Sequence, residues 1–142
     1  MNKIKCSAVL VVEGKMDKDL IESFMDVDII TTNGSEVSRG TIDYIQEISK
    51  KRQIIILTDP DAPGKRIRDI INQNVPGCLN AFVPKNKAIK GHKVGVAESS
   101  KDVILEALEN SGYLCELTKE GIIFVDDEDT NTGVVIHIQT MT

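Results

Sequence analysis

Residues 57–68 read Leu-Thr-Asp-Pro-Asp-Ala-Pro-Gly-Lys-Arg-Ile-Arg, and they say more about fold and chemistry than any other segment of the chain. They follow a short apolar run, residues 53–57, which is typical of a buried strand. Two acidic residues, Asp59 and Asp61, lie just after the end of this strand, and cationic side chains follow one helical turn later. This pairing indicates a divalent cation held beside a phosphate. A turn with a capped helix, a common use of Asp and Pro, is the alternative interpretation.

Glu13 ends a second apolar run, residues 8–12, in the same manner. The carboxyl ends of parallel strands share one edge of an open sheet, and ligands bind there, so Glu13, Asp59 and Asp61 are expected to lie together. Acids with no His or Cys nearby favour Mg²⁺ or Mn²⁺ over zinc, and we predict a metal site at this edge. Glu98 is a fourth candidate acid, unless it serves only as a first-turn residue that favours a helix dipole.

Short apolar runs alternate with segments of helical spacing along the first hundred or so residues. Strands are predicted at residues 7–12, 29–32, 53–58 and 81–83, and helices at 16–24, 38–52, 63–75 and 99–110. The alternation predicts an α/β domain with a mainly parallel sheet flanked by helices.

The last third of the chain differs in charge from the rest. Residues 98–142 hold 2 Lys+Arg against 10 Asp+Glu, whereas residues 1–97 hold 15 against 12. Two more strands, at 121–126 and 134–138, are predicted to form a β-hairpin. We therefore expect a domain at 1–110 and an acidic hairpin tail at 111–142.

Several classes of protein are excluded or disfavoured by composition. No apolar run approaches the length that spans a bilayer, and no signal peptide is recognised, so we expect a cytoplasmic location. The cysteines Cys6, Cys78 and Cys115 fit neither a disulfide framework nor a zinc pattern. No side-chain nucleophile has a base beside it in the sequence. Aromatic residues make up 4% of the chain, so an extended stacking platform for single strands is not expected.

The basic residues near the acids are candidates for phosphate binding. Lys15 and the cluster of Lys65, Arg66 and Arg68 would make charge-assisted hydrogen bonds to phosphate. A solvated helix face explains any one of them about as well. The cationic segment 85–93 suits contact with a nucleic-acid backbone, although a solvated charged loop is again the alternative.

The motifs of the chain resemble those of the Toprim domain, which has Glu-Gly after one strand and Asp-x-Asp after another. Here these are Glu13-Gly14 and Asp59-x-Asp61-x-x-Gly64. Within this group the chain is most similar to the ribonuclease M5 family, the maturases of 5S ribosomal RNA. The further matching segments are Val11–Asp17, Thr32–Ser35, Thr58–Arg68, Val75–Cys78, Ala81–Lys85 and Val94–Val96.

The resemblance implies a Rossmann-like Toprim fold and a Mg²⁺-dependent endoribonuclease that hydrolyses phosphodiesters of structured RNA. Carried over by position, Glu13 would be a general acid/base or a metal ligand, and Asp59 and Asp61 would be Mg²⁺ ligands. Lys15 and Arg68 would contact phosphate. The implied partner is RNA, in particular precursor 5S ribosomal RNA, with a ribosomal protein.

Two other functions stay open at this point. The maturases carry a C-terminal RNA- and protein-binding region that residues 111–142 do not match, which favours a Toprim module that binds metal and nucleic acid, or regulates, without cleavage of its own. A small-molecule phosphate-binding protein ranks last, because the sequence has neither a Gly-x-Gly-x-x-Gly nor a P-loop motif.

Overall fold

The computed structural model describes residues 3–34, 36–90 and 93–113, and three short segments of the acidic tail. The elements of the main body are β1 (Ile4–Val12), α1 (Lys15–Glu22), β2 (Met25–Thr31), α2 (Arg39–Ser49), β3 (Ile54–Ile56), α3 (Ala62–Asn74), β4 (Leu79–Asn80), β5 (Ile89–Lys90), β6 (Lys93–Val94) and α4 (Lys101–Asn110). Two 3-10 turns, Lys85–Lys87 and Val96–Glu98, lie between β4 and α4. The tail segments are β7 (Glu116–Leu117), β8 (Ile123–Phe124) and β9 (Ile136–His137).

The central sheet has four parallel strands in the order β2-β1-β3-β4. Strand β1 lies in the middle, where Val11 stands opposite Ile30 of β2 on one side and Ile56 of β3 on the other. The predicted α/β architecture with a mainly parallel sheet is therefore confirmed.

Both faces of β1 are buried, which explains its unbroken apolar sequence. Leu10 and Val12 belong to a core cluster that includes residues of α1 and α4. Val9 and Val11 belong to a second cluster, which includes residues of α2 and α3. Since successive side chains of a strand point to opposite faces, two layers of helices cover the sheet, as parallel sheets require.

Strand β2 begins earlier than the sequence analysis predicts. The sequence predicts this strand from residue 29, but the polar segment at residues 26–28 already lies within it. Met25 and Val27 are buried while Asp26 and Asp28 are exposed, which is the alternation of a strand with one face on the core. Because Asp26 and Asp28 are acidic, the two-residue alternation of the strand is not evident from the sequence.

The segment after β3 also differs from its prediction. The strand expected at 81–83 lies two residues earlier, at Leu79–Asn80, although the Ala81 amide still donates to the Ile56 carbonyl (2.9 Å). The expected basic loop at 85–93 contains a 3-10 turn and the antiparallel pair β5–β6. This pair folds the cationic segment back on itself.

The helices begin where polar side chains can accept hydrogen bonds from their first amides. Ser38 accepts from the Thr41 amide (3.1 Å) at the start of α2, as predicted, and Ser100 accepts from the Val103 amide (3.3 Å) at the start of α4. In the parts of the chain that the structure describes, none of the helices is long and apolar enough to cross a membrane.

The tail segments extend the sheet in antiparallel fashion. Strand β7 pairs with β1 at Ile4 and Lys5, and β8 pairs with both β7 and β9. The β8–β9 pair lies within the predicted hairpin strands, whereas its turn at 127–133 falls outside the described residues, as do Cys115 and His92.

The division of the chain at residue 110 stays a prediction. Just beyond that point, Tyr113 is buried, and its hydroxyl hydrogen-bonds that of Ser7 (2.5 Å).

Candidate active site

The turn between β1 and α1 carries Glu13 and is held by a buried acid. Gly14 is the N-cap of α1, and its amide donates to Asp17 Oδ2 (3.0 Å). Burial raises the pKa of Asp17, and the nearby backbone of Gly14, Ala97 and Glu13 only partly offsets that rise. The Glu13 carbonyl accepts from the Asn33 amide (2.8 Å), which ties the turn to the end of β2. Glu13 is therefore presented from a fixed backbone.

The turn between β3 and α3 is held by backbone packing. Asp61 is the N-cap of α3, and its Oδ1 accepts from the Gly64 amide (2.7 Å). A Cβ on Gly64 would lie 2.0 Å from the Asp59 carbonyl oxygen, so no larger residue fits at this position. The Thr58 hydroxyl donates to the Gly64 carbonyl (2.9 Å) and closes the turn.

The structure brings the acids of the two turns together. The Asp59 amide donates to Glu13 Oε2 (2.5 Å), and the carboxyl groups of Glu13 and Asp59 are close enough to interact electrostatically. Burial, opposed by the Asp59 amide and reinforced by the charges of Asp59 and Asp61, raises the pKa of Glu13 to about 7. Burial also raises the pKa of Asp59. Several carboxyl groups therefore lie close together at this edge of the sheet, and a bound proton or cation would reduce the repulsion between them.

A segment far along the chain completes this edge. The Val96 amide donates to Asp59 Oδ1 (2.7 Å), and Gly95 stands so close that a Cβ would come within 3.1 Å of the same oxygen. Glu98 is half-buried in the adjoining 3-10 turn, which contacts α1.

Sequence reasoning gave no role to three residues of this site. Asp17 stands three positions after Gly14, the spacing of a capping-box acid, and this signal was available in the sequence. The contacts of Gly95 and Val96 with Asp59 have no local signal in the sequence, because they join distant positions. Val96, for example, lies 37 residues after Asp59.

The acids form a partial ligand set and not a closed cage. Among the residues the structure describes, no three of His, Cys, Asp and Glu stand where they could jointly hold a metal ion. Mg²⁺ does not need such a cage, since it keeps several waters and binds through one or two carboxylates plus substrate phosphate. The oxygen donors present fit that mode of binding.

Three of the four predicted phosphate-binding cations are exposed. Lys15 pairs with Asp19 (2.7 Å) and Lys65 with Asp69 (3.1 Å), each four residues further along its helix. Exposed pairs of this kind add little stability, so both lysines are available to exchange partners. Arg66 is exposed on α3 as well.

Arg68 is placed differently from these three. It is 7% exposed, and its guanidinium donates to the Ile56 carbonyl (3.1 Å), the Ala81 carbonyl (2.7 Å) and Asn80 Oδ1 (3.0 Å). Burial lowers its pKa to about 10, which leaves it charged at neutral pH. Arg68 therefore ties α3 to β3 and β4. A phosphate contact would have to use its remaining N–H groups, and this role stays a prediction.

A groove of about 810 Å³ opens beside the two aspartates. It runs between α3 and the segment after β4, and its walls include Lys65 and Lys85. Asp59 and Asp61 line the same groove, so acids and cations face one shared space. Such a space suits a phosphate group with a metal ion beside it.

Comparisons with known proteins agree with this arrangement. The model of the Toprim domain family matches residues 8–94. Ribonuclease M5 of Bacillus cereus is 45% identical over 109 residues, which cover 75% of this chain and 58% of that protein. Ribonuclease M5 of Bacillus subtilis is 44% identical over 109 residues, which cover 75% of this chain and 59% of that protein.

A third relative is covered over more of its length. Ribonuclease M5 of Mycoplasma genitalium is 37% identical over 123 residues, which cover 86% of this chain and 69% of that protein. The chain thus spans between 58% and 69% of the length of these three curated relatives.

A solved structure shows the same fold. The small TOPRIM domain protein from Bacillus stearothermophilus superposes with a TM-score of 0.62 at 19% identity, over 75% of this chain and 89% of that one. The family match covers both acidic turns and the whole parallel sheet except the start of β1. The chain therefore belongs to the Toprim domain family and, within it, to the ribonuclease M5 proteins.

Proposed function

We propose that this chain carries the catalytic site of a Mg²⁺-dependent endoribonuclease that hydrolyses phosphodiesters of structured RNA in the cytoplasm. The proposed substrate is precursor 5S ribosomal RNA, presented with a ribosomal protein. The observation that carries the proposal is the direct contact of Glu13 with Asp59 at neighbouring strand ends. It stands in a chain whose relatives are named ribonucleases.

A requirement for a metal ion is general among Toprim domains and ribonuclease M5 proteins. In this chain Asp59 and Asp61 are the proposed ligands, and Glu13 either completes the shell or acts as the base. Carboxylate oxygens select Mg²⁺ over softer ions. A bound ion would neutralise charge that develops on the phosphate oxygens.

Glu13 is suited to move a proton at neutral pH. With no metal bound the pKa of Glu13 is about 7, and a bound cation would lower it, so that its carboxylate could accept a proton from the attacking water. The hydrogen bond from the Asp59 amide holds the carboxyl group in place while it does so. The exposed cations Lys15, Lys65 and Arg66 would guide the RNA backbone, together with the segment 85–93.

A second candidate is a module that binds RNA and metal without cutting. One observation favours it, because the Glu13, Asp59 and Asp61 carboxylates each accept a backbone hydrogen bond and no three acids of the described chain surround a common point. In that case the acidic edge would position RNA for a partner that cleaves it.

The test is cleavage of a structured precursor RNA by the purified chain with Mg²⁺, followed on a sequencing gel. Glu13→Gln should lower the rate by about 10²- to 10⁴-fold, the usual contribution of a general base. Asp59→Asn and Asp61→Asn should lose cleavage while keeping the fold, because the amide oxygens can still accept hydrogen bonds. Asp43→Asn, an exposed acid on α2, is the matched control and should cut normally.

Wild-type cleavage rates in Asp59→Asn and Asp61→Asn would contradict the mechanism. Specific binding of the RNA by the wild-type chain, without any cleavage in Mg²⁺ or Mn²⁺, would favour the binding module instead.

A further inference from the structure

One large apolar side chain of the groove is exposed without an evident packing role. Phe82 follows β4 and lines the groove beside Asp59 and Asp61, and it is 65% exposed. The core beside it is filled by its buried neighbours Ala81 and Val83. An exposed aromatic ring inside a concave, largely apolar site with a few polar groups is typical of ligand binding.

The ring is fixed from behind. The Arg68 guanidinium lies 4.1 Å from the centroid of the Phe82 ring, in cation–π contact. Arg68 itself is held by the Ile56 and Ala81 carbonyls and by Asn80, so it forms a rigid support. One face of the ring is thus covered by a buried cation, and the exposed surface of Phe82 belongs to the groove.

Polar side chains line the same groove as this ring. Asn72 and Asn80 line the groove; Asn72 donates to Asn80 Oδ1 (2.9 Å), which also accepts from Arg68 (3.0 Å). Lys65 and Lys85 supply positive charge along the same walls. The volume of about 810 Å³ lies within the range of small-molecule sites, about 300–1,000 Å³, and accommodates one nucleotide.

We propose that this groove takes one unpaired nucleotide of the RNA, with its base stacked on Phe82 and a neighbouring phosphate at the acidic edge. The proposal rests on the proposed function for its RNA partner. The base must be unpaired, because a ring face is reached only by a base that has left its duplex stack. Phe82 is the only aromatic among the groove-lining residues described, so one base is stacked and not a strand.

The substrate selected in this way is a structured RNA with a bulge or a loop nucleotide near the site of cleavage. Stacking tolerates any base, since each has a π face, so the groove would select local RNA shape and not sequence. This adds a specificity-determining residue, Phe82, to the acids that are proposed to do the chemistry.

Fluorescence anisotropy tests the proposal with two labelled RNA hairpins, one fully paired and one with a single bulged adenosine in the stem. Ca²⁺ replaces Mg²⁺ during the binding measurement, so that a cation is bound to the carboxylate oxygens. The wild-type chain should bind the bulged hairpin about tenfold more tightly, as expected for one stacked base. Phe82→Ala and Phe82→Leu should bind both hairpins equally, while Phe82→Trp should keep the preference.

Tyr44→Ala is the matched control, since Tyr44 is an exposed aromatic (56%) on α2, outside the groove. It should retain the preference for the bulge. The proposal is overturned if the wild type shows no preference, or if Phe82→Ala keeps it. A Mg²⁺ cleavage assay on the same hairpins separates the two hypotheses. Cleavage with no dependence on Phe82 refutes the nucleotide site alone, whereas a Phe82-dependent preference without cleavage refutes only the proposed activity.

Discussion

The acidic edge is built from two strand-to-helix turns that look alike in sequence but are held differently. In each, an acid follows a buried strand and a glycine lies at or near the start of the next helix. At Gly64 a Cβ would lie 2.0 Å from the Asp59 carbonyl oxygen. At Gly14 the nearest atom to a Cβ would be Asp17 Oδ2, at an ordinary 3.9 Å.

The difference shows that the two glycines serve different needs. Gly64 is required because helix α3 packs its first turn directly on the backbone of Asp59. Gly14 has an extended backbone (φ −143°) that any residue adopts, and the Asp17 carboxylate anchors its turn instead. Both turns use a carboxylate cap, Asp61 in one and Asp17 in the other, but only the turn at Gly64 also depends on close backbone packing.

Gly64→Ala should have the largest effect on stability. The clash is with backbone, so it can be relieved only by moving α3 or the Asp59 peptide, and we expect a loss of about 4 kcal/mol or more. Gly14→Ala should cost at most about 1 kcal/mol, the usual penalty of alanine at an N-cap. Urea unfolding of both variants measures the contrast. Equal costs at the two positions would show that the turns are not held differently.

Arg68→Lys should come next, because it removes the support behind the second turn. Lysine cannot satisfy three acceptors with the same planar geometry, and one unsatisfied buried acceptor costs about 1–3 kcal/mol. Arg66→Lys, two residues away and exposed, should change stability by no more than about 0.5 kcal/mol. Thermal unfolding of the pair tests this, and a larger loss at position 66 would contradict the assigned role.

Asp17→Ala tests the side-chain anchor of the first turn. Loss of the acceptor for the Gly14 amide should cost about 1 kcal/mol, as for other capping residues. Because the Asp17 carboxylate also fixes the backbone of Glu13, the cleavage rate should fall by a larger factor than the loss in free energy of unfolding alone would explain. Asp19→Ala, an exposed acid on the same helix, should alter neither. An active Asp17→Ala variant would mean that the contacts of Glu13 with Asn33 and Asp59 are enough to position it.

A further effect concerns the dependence of stability on pH. The pKa of Glu13 is raised from its ordinary value of 4.5 to about 7, so between these values the folded chain holds a proton that the unfolded chain releases. In metal-free buffer, stability should therefore fall as pH rises from 4.5 to 7 and then level off. Glu13→Gln should flatten this slope, and Mg²⁺ should stabilise the wild type more at pH 8 than at pH 5. Asp17 and Asp59, whose pKa values burial also raises, supply a remaining slope of the same sign. Urea midpoints across this range, with and without Mg²⁺, supply the measurement, and a slope that is unchanged in Glu13→Gln would rule out this carboxyl group as a source.

The features that local sequence could predict were those with a strong local pattern. The unbroken apolar runs ending at Val12 and Leu57 gave two buried parallel strands, and their positions placed Glu13 and Asp59 at one edge. Ser38 at the start of α2 was read from its capping chemistry alone.

Features that depend on distant parts of the chain could not be predicted. Arg68 has the sequence context of a surface cation, and only the path of β4 behind it turns it into a buried support. Strand β2 was shortened in the prediction because Asp26 and Asp28 resemble a loop until Met25 and Val27 are seen to be buried. The bond from Val96 to Asp59 likewise follows from tertiary folding.

That bond sets an order of assembly for the site during synthesis. Glu13, Asp59 and the sheet that carries them leave the ribosome well before Val96, whose amide fixes the Asp59 carboxylate from 37 positions further along. Since domains generally fold as units, a nascent chain that stops short of Val96 lacks the amide that fixes the Asp59 carboxylate. The site is complete only when the segment that contains Gly95 and Val96 packs against Asp59. A partly synthesised chain would therefore contain the acids of the site before the site itself has formed.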